Sequence, residues 1–295
     1  MMKKRLWSRW ILALAVVWPF MAAAHDRVRE KENFDFDWKF ILNADDRANA
    51  GMQVSEAGWQ DVQLPHDWSI SQDFNPKLSG SNGHLPGGIG WYRKTFRVDK
   101  EDKGRRIAVL FDGIYSRSDV YVNGQHLGFR PYGFCYQEYD LTPYLNYGAE
   151  NVLAVRVNNP LEHDSVARWY TGAGIYRHAW LVKTAEVHVA SYGTYVTTPV
   201  VTAERAEVRV RTSVANEAER TKTLSVRQQI TDGEGRTVVQ SGKQALQVAA
   251  GQTADTEHTL EIPRPQLWDT EHPYLYTLHT SVYDGRKLVD TYETV

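Results

Sequence analysis

Asp119-Val120-Tyr121-Val122-Asn123-Gly124-Gln125-His126-Leu127-Gly128 is the stretch that decides the fold class. Its two flanks carry strand-like alternation around Asn123-Gly124. Both residues of a tight hairpin turn need positive φ, and Asn-Gly is the pair that reaches it most readily. The chain therefore doubles back here as an antiparallel hairpin. Just upstream, Arg106-Ile107-Ala108-Val109-Leu110-Phe111 is a short apolar run closed by Asp112-Gly113, another turn signal. Downstream, Leu153, Val155 and Val157 fall on one face of a segment whose other face carries Ala154 and Arg156. Ile175 with His178-Ala179-Trp180-Leu181-Val182 reads as a further strand. No window of a dozen residues shows a capped 3.6-residue period. Many short strands punctuated by turns predict sandwiches.

The same grammar continues beyond residue 185. Val187-His188-Val189 and Tyr195-Val196-Thr197 come first, and Glu207-Val208-Arg209-Val210-Arg211-Thr212-Ser213-Val214 alternates cleanly. Leu224-Ser225-Val226-Arg227-Gln228-Gln229-Ile230 runs into the turn Asp232-Gly233-Glu234-Gly235. Val238-Val239, residues 245–248, Thr259-Leu260-Glu261-Ile262 and residues 274–282 follow, with Asp284-Gly285 as a hairpin turn into Leu288-Val289. About seven strands in about 110 residues is the arithmetic of an immunoglobulin-like sandwich. Composition shifts as well: Trp38, Trp59, Trp68, Trp91, Trp169 and Trp180 all precede this half, which holds only Trp268. The last residues, Thr291-Tyr292-Glu293-Thr294-Val295, keep a strand pattern without a polar tail, so the chain is expected to be cut short there.

The first 24 residues stand apart. Lys3, Lys4, Arg5 and Arg9 make a basic start, residues 10–20 are an apolar run, and Ala22-Ala23-Ala24 is a small-residue cleavage site. That anatomy predicts a secretory leader and a periplasmic or secreted product. The apolar run is shorter than the roughly 20 residues of a membrane-spanning helix, so no membrane anchor is expected. His25 rather than Cys follows the cleavage site. The expected division is 1–24 leader, 25–184 first sandwich and 185–295 second sandwich. The formal net charge is −2, and loss of the leader's cations makes it more acidic. With no basic stripe, nucleic acid is not an expected partner. Cys135 is the only cysteine, so apolar burial rather than a disulfide must hold the fold.

Nine blocks resemble, in order, the N-terminal half of glycoside hydrolase family 2, the β-galactosidase-like family. Phe34-Asp35-Phe36-Asp37-Trp38-Lys39-Phe40 is similar to its opening strand. Leu64-Pro65-His66-Asp67-Trp68-Ser69-Ile70 is similar to its PHDW loop, and Gly90-Trp91-Tyr92-Arg93-Lys94-Thr95-Phe96 to its next strand. Phe111-Asp112-Gly113, Val120-Tyr121-Val122-Asn123-Gly124-Gln125 and Tyr139-Asp140-Leu141-Thr142 follow. Arg168-Trp169-Tyr170-Thr171-Gly172-Ala173-Gly174-Ile175-Tyr176-Arg177 is the most specific block. Pro265-Gln266-Leu267-Trp268 and Pro273-Tyr274-Leu275-Tyr276 complete the series. The resemblance implies an all-β chain, a jelly-roll (galactose-binding-like) sandwich followed by an immunoglobulin-like β-sandwich.

Retaining glycosidases need two carboxyl groups about 5 Å apart. In the family both come from a (β/α)₈ barrel beyond the immunoglobulin-like domain, and no segment here alternates strand and helix as a barrel must. The resemblance therefore implies no catalytic residue in this chain, which is expected to be inactive alone and to work with a C-terminal catalytic barrel, in cis or in trans. It implies a substrate-binding role for Asp67, Trp68, Arg168, Trp169 and Tyr170 toward a β-galactoside-like glycan. Asp67 would accept from sugar hydroxyls in charge-assisted bonds, and Trp68 and Trp169 would shape the wall. Asp67 ordering its own loop is the competing physical reading, as is core or seam packing for the aromatics. Arg168 stands where well-known relatives carry an acidic, cation-binding residue. No metal and no cofactor is expected: His25, His66, His84, His126 and His163 lack ligand spacing, and Gly87-Gly88-Ile89-Gly90 precedes a strand rather than a helix. Asp112 and Asp119 read as turn caps. Glu138 and Asp140 read as solvent-facing or amide-binding, and Asp164 as an ion-pair partner of Arg168. A stand-alone carbohydrate-binding module is the alternative to an enzyme part.

Overall fold

The computed structural model describes residues 28–42, 44–160 and 169–295. The expected leader, Asp164 and Arg168 lie outside the described residues. The first unit contains β1 (Glu30–Asn33), β2 (Trp38–Leu42), β3 (Gln60–Val62), β4 (Gly88–Arg97), β5 (Arg106–Phe111), β6 (Ser118–Val122), β7 (Gln125–Arg130), β8 (Gln137–Asp140), β9 (Glu150–Asn159) and β10 (Ala179–Thr184). These strands make two antiparallel sheets, ordered β1-β10-β5-β8 and β3-β2-β4-β9-β6-β7. The Asn123-Gly124 turn joins β6 to β7 with φ of 51° and 84°, the left-handed pair that its sequence requires. Leu153, Val155 and Val157 of β9 face the core between the sheets, whereas Ala154 packs outside with Trp91 and Tyr121. Trp38, Tyr92, Phe111 and Ile107 are fully buried in that core. Each such side chain contributes about 1.5–3 kcal/mol by leaving water. This is the jelly-roll sandwich.

Two residues after β10 the second unit begins. It contains β11 (Val187–Val201), β12 (Arg205–Asn216), β13 (Lys222–Thr231), β14 (Thr237–Gln240), β15 (Gln244–Val248), β16 (Gln252–Pro263), β17 (Thr277–Asp284) and β18 (Lys287–Thr294). One sheet is β11-β12-β16. In the other, β13 pairs with β17 on one side and with both β14 and β15 on the other, and β18 closes the far edge. This is the immunoglobulin-like sandwich. The two opening strands expected from sequence are one long strand, β11, whose register shifts between Val189 and Thr194 around Tyr192 at φ 53°. Its core is divided. Val189, Val214, Leu224, Val226 and Val282 form one apolar cluster, and Val208, Val210, Ile230, Leu260 and Leu278 another. Between them lies a buried polar layer in which the Gln228 amide donates to Thr212 Oγ1 (2.9 Å) and accepts from Thr280 Oγ1 (2.7 Å).

Side chains stitch the two units together. Arg29, just before β1, donates to both carboxylate oxygens of Asp290 on β18 (3.2 and 2.9 Å) and to the Val189 carbonyl. The Asp290 side chain has no exposed surface. Burial raises its pKa and Arg29 opposes the rise. Arg106 of β5 bridges Glu138 of β8 and Glu217 beyond β12 at 2.7 and 2.8 Å. Tyr136 lies against Tyr192 with ring centroids 4.6 Å apart.

Candidate functional site

The loop after β3 and the segment leading into β10 meet at one end of the jelly roll. The His66 amide donates to the Ile175 carbonyl (2.8 Å), and the Trp68 amide donates to the Ala173 carbonyl (3.2 Å). Ile175 therefore belongs to this junction, and the strand expected around it starts at Ala179. The junction needs small residues. Gly174 holds φ +116°, and a Cβ there would come within 2.3 Å of the Tyr92 hydroxyl. A side chain on Gly172, at φ +76°, would meet the Asp67 carboxylate at 3.0 Å. Tyr115 pairs with Gly174 through both backbone hydrogen bonds (2.9 and 2.8 Å), tying in the loop that follows β5.

Asp67 is the pivot of this junction. Its Oδ1 accepts from the Ser69 and Ala173 amides, both at 3.0 Å, and its Oδ2 accepts from the Tyr170 hydroxyl at 2.5 Å. The Ser69 contact is the Asx-type loop bond open to an aspartate at this position. The Ala173 contact reaches across more than a hundred residues of chain. Tyr170 stays protonated well above the ordinary phenol range, first through burial and then because its proton is held by Asp67. Behind the loop, the Tyr92 hydroxyl sits 2.7 Å from His66 Nδ1. Burial lowers the pKa of His66 and raises that of Tyr92, so both are neutral near pH 7.

The sequence-expected residues separate into two groups. Asp67 and Tyr170 come together through their side chains; Trp169, next to Tyr170 in the chain, is 61 % exposed and Tyr170 39 %. Trp68 is not on the surface. It is 1 % exposed and stacks on Phe40, with centroids 5.5 Å apart, in space that Gly90 leaves by lacking a side chain. It supports the loop from beneath and forms no wall. Arg168 lies outside the described residues. Asp119 is not a turn cap but a buried acceptor on β6, 3.0 Å from His126 and 3.6 Å from Arg156. Asp112 accepts from the Trp180 indole (2.9 Å). Asp140 caps the Thr142 amide (3.0 Å), and Glu138 pairs with Arg106.

Sequence reasoning missed several members of the junction. Asn82 sits 3.3 Å from Thr171 Oγ1, and Asn159, at the end of β9, donates to the Gly172 carbonyl at 3.2 Å. Ile70 and Phe74, in the loop that follows Asp67, are 67 % and 75 % exposed. Their apolar character within a loop was the one signal available. Chemically, a carboxylate fixed by two amides and a phenol can accept hydrogen bonds, and the exposed Trp169 indole offers a flat apolar face. Among the described residues no group of three or more His, Cys, Asp or Glu side chains is arranged to hold a metal ion.

Two linked sandwiches of this topology, a jelly roll followed by an immunoglobulin-like sandwich, define a two-domain all-β class. The family model described as the sugar binding domain of glycosyl hydrolases family 2 matches residues 32–185, and the glycosyl hydrolases family 2 model matches residues 187–295. The chain belongs to glycosyl hydrolases family 2. It is 43 % identical over 274 residues to a beta-galactosidase of Bacteroides ovatus, covering 90 % of this chain and 31 % of that protein. A beta-glucuronidase of Formosa agariphila is 33 % identical over 293 residues, covering 90 % of this chain and 29 % of the relative. The crystal structure of a family 2 member from Bacteroides cellulosilyticus superposes with a TM-score of 0.80 at 38 % identity, covering 89 % of this chain and 35 % of that one. The chain thus spans about a third of the length of the relatives it matches.

Proposed function

We propose that this chain is the non-catalytic front part of an exported β-galactosidase, in which the Asp67 junction borders the sugar while a barrel beyond these residues carries the reaction. The observation that carries this reading is the half-buried Asp67 carboxylate, fixed on the Ser69 and Ala173 amides and the Tyr170 hydroxyl. Fixing an acceptor beforehand removes the entropy of arranging it when the sugar arrives. Two lines favour a neutral galactoside over a uronide. The match to the Bacteroides ovatus beta-galactosidase is the stronger of the two relatives named above. An aspartate at the rim also repels a sugar that carries its own carboxylate. The leader at residues 1–24 directs the product to the periplasm or beyond.

Hydrolysis requires an acid/base and nucleophile pair of carboxyl groups on one scaffold. Asp67 is surrounded by donors, which suits binding and positioning. The purified chain is therefore expected to release no nitrophenol from 4-nitrophenyl β-galactoside. Turnover in a preparation free of host enzyme would refute the division of labour. The coding frame past codon 295 is expected to continue in frame into a barrel, and a stop followed by unrelated sequence would count against the enzyme-part reading.

A further inference from the structure

The loop between β7 and β8, Pro131-Tyr132-Gly133-Phe134-Cys135-Tyr136, carries three aromatic rings and no charged or amide side chain. Tyr132, Phe134 and Tyr136 are 62 %, 44 % and 47 % exposed, and Tyr192, where the register of β11 shifts, is 56 % exposed. The rings form one ledge. The Phe134 centroid lies 5.8 Å from that of Tyr132, 5.1 Å from Tyr115 and 6.4 Å from Tyr176, and Tyr136 packs on Tyr192. Arg177 is close enough to Tyr176 and Tyr192 for its charge to act on both phenols. The loop is held in place: the Gly133 carbonyl accepts from the Tyr176 hydroxyl at 2.9 Å, and a Cβ on Gly133 would collide with the Tyr115 ring. Through Tyr115, which pairs with Gly174, the ledge is continuous with the Asp67 junction.

We propose, on the reading that a barrel follows these residues, that the ledge is the seat on which the polypeptide beyond Val295 docks. Half of four aromatic side chains of roughly 200 Å² each is about 400 Å² of exposed apolar surface, the size at which a patch marks an interaction site. Aromatic-rich, charge-poor composition is that of the centre of a protein–protein interface. A sugar would also need fixed polar side chains, which residues 131–136 do not supply. β18 delivers the following chain to this place. The Tyr192 amide donates to the Tyr292 hydroxyl (3.1 Å), and the Thr194 and Thr294 hydroxyls are 2.7 Å apart. β18 thus reaches Thr294 beside the residues that follow Tyr192, and the relatives are about three times as long as the stretch they share with this chain. The ledge also extends a contact between the two sandwiches, Tyr136 on Tyr192, so a third body seated there touches both.

Cys135, exposed between Phe134 and Tyr136, is a built-in reporter of whether the ledge is covered. Iodoacetamide labelling, read at the Cys135 peptide by mass spectrometry, compares the 295-residue chain with the product of the reading frame carried past codon 295. Docking predicts labelling at least tenfold slower in the longer product. It also predicts that Tyr136→Ala/Tyr192→Ala restores the rate there while changing it less than twofold in the 295-residue chain. Both tyrosines are about half exposed, so the fold survives their removal, which a thermal melt verifies. Equal labelling of the two products would overturn the docking while leaving the barrel reading in place, and so would protection that survives the double variant. A frame that ends at codon 295 would overturn both. Slow labelling of the 295-residue chain that speeds up on dilution would mean that a second copy covers the ledge, and would also overturn the proposal.

Discussion

Replacing Gly174 by alanine tests the geometry on which the Asp67 junction rests. Two penalties combine at this position. The backbone holds φ +116°, a region that costs a residue with a side chain about 1–3 kcal/mol. The new methyl would also lie 2.3 Å from the Tyr92 hydroxyl and 2.7 Å from the His66 carbonyl. Neither neighbour yields easily, since Tyr92 is fully buried and the His66 oxygen is backbone. Overpacking of this kind costs about 1–3 kcal/mol. The sum is about 4 kcal/mol, a drop of about 8–16 °C in melting temperature for a unit of this size. Gly58→Ala is the matched control: φ is +84° but nothing lies within 4 Å of the added carbon, so only the backbone penalty of about 1–2 kcal/mol applies. Urea unfolding followed by tryptophan fluorescence reports mainly on the first sandwich, where Trp38, Trp59, Trp68 and Trp91 reside. Equal losses in the two variants, or a loss below about 1.5 kcal/mol at Gly174, would show that the junction is not as tight as described.

Three further outcomes follow from the same structure. Burial, with Arg106 and Arg29 nearby, lowers the pKa of His188 from 6.5 to about 3. Between those values the unfolded chain holds a proton that the folded chain lacks, so stability falls as pH drops below about 6.5, by about 2 kcal/mol at pH 5. A His188→Gln variant should flatten that part of the stability profile in urea titrations, and an unchanged slope would refute the assignment. Arg29→Met strands the buried Asp290 and should cost about 3–5 kcal/mol; Arg29→Met/Asp290→Leu should recover much of it, and thermal melting that ranks the double variant below the single would contradict this. Tyr170→Phe removes one donor from Asp67 at a part-exposed position and should cost at most about 1 kcal/mol, so a loss above 2 kcal/mol in urea unfolding would mean that Tyr170 packs as a core residue.

The sandwich class was legible because its signals are local. Asn123-Gly124 fixes a hairpin whatever surrounds it, and the alternation in β9 and β12 names their buried faces directly. The candidate site was only half legible. Asp67 and Tyr170 were found through a block resemblance, but their contact depends on a pairing between loops about a hundred residues apart. Trp68 defeated the reading for the same reason. A tryptophan after Pro65-His66-Asp67 looks like a surface platform until β2 pairs with β4, which brings Phe40 beside the space left by Gly90. The turn-cap reading of Asp119 failed because its partners, His126 and Arg156, arrive from β7 and β9. Nothing in the local sequence announces Asn82 or Asn159 as members of the junction.

The polar layer in the immunoglobulin-like core acts as a ruler. Slipping a strand by two residues preserves the alternation of inward and outward side chains, so hydrophobicity alone scarcely penalises it. Such a slip would carry the Gln228 amide away from Thr212 and Thr280 and into hydrocarbon, leaving donor and acceptor unpaired. The sandwich thereby gives up a little oil-like cohesion at its centre and gains a single permitted alignment of β12, β13 and β17.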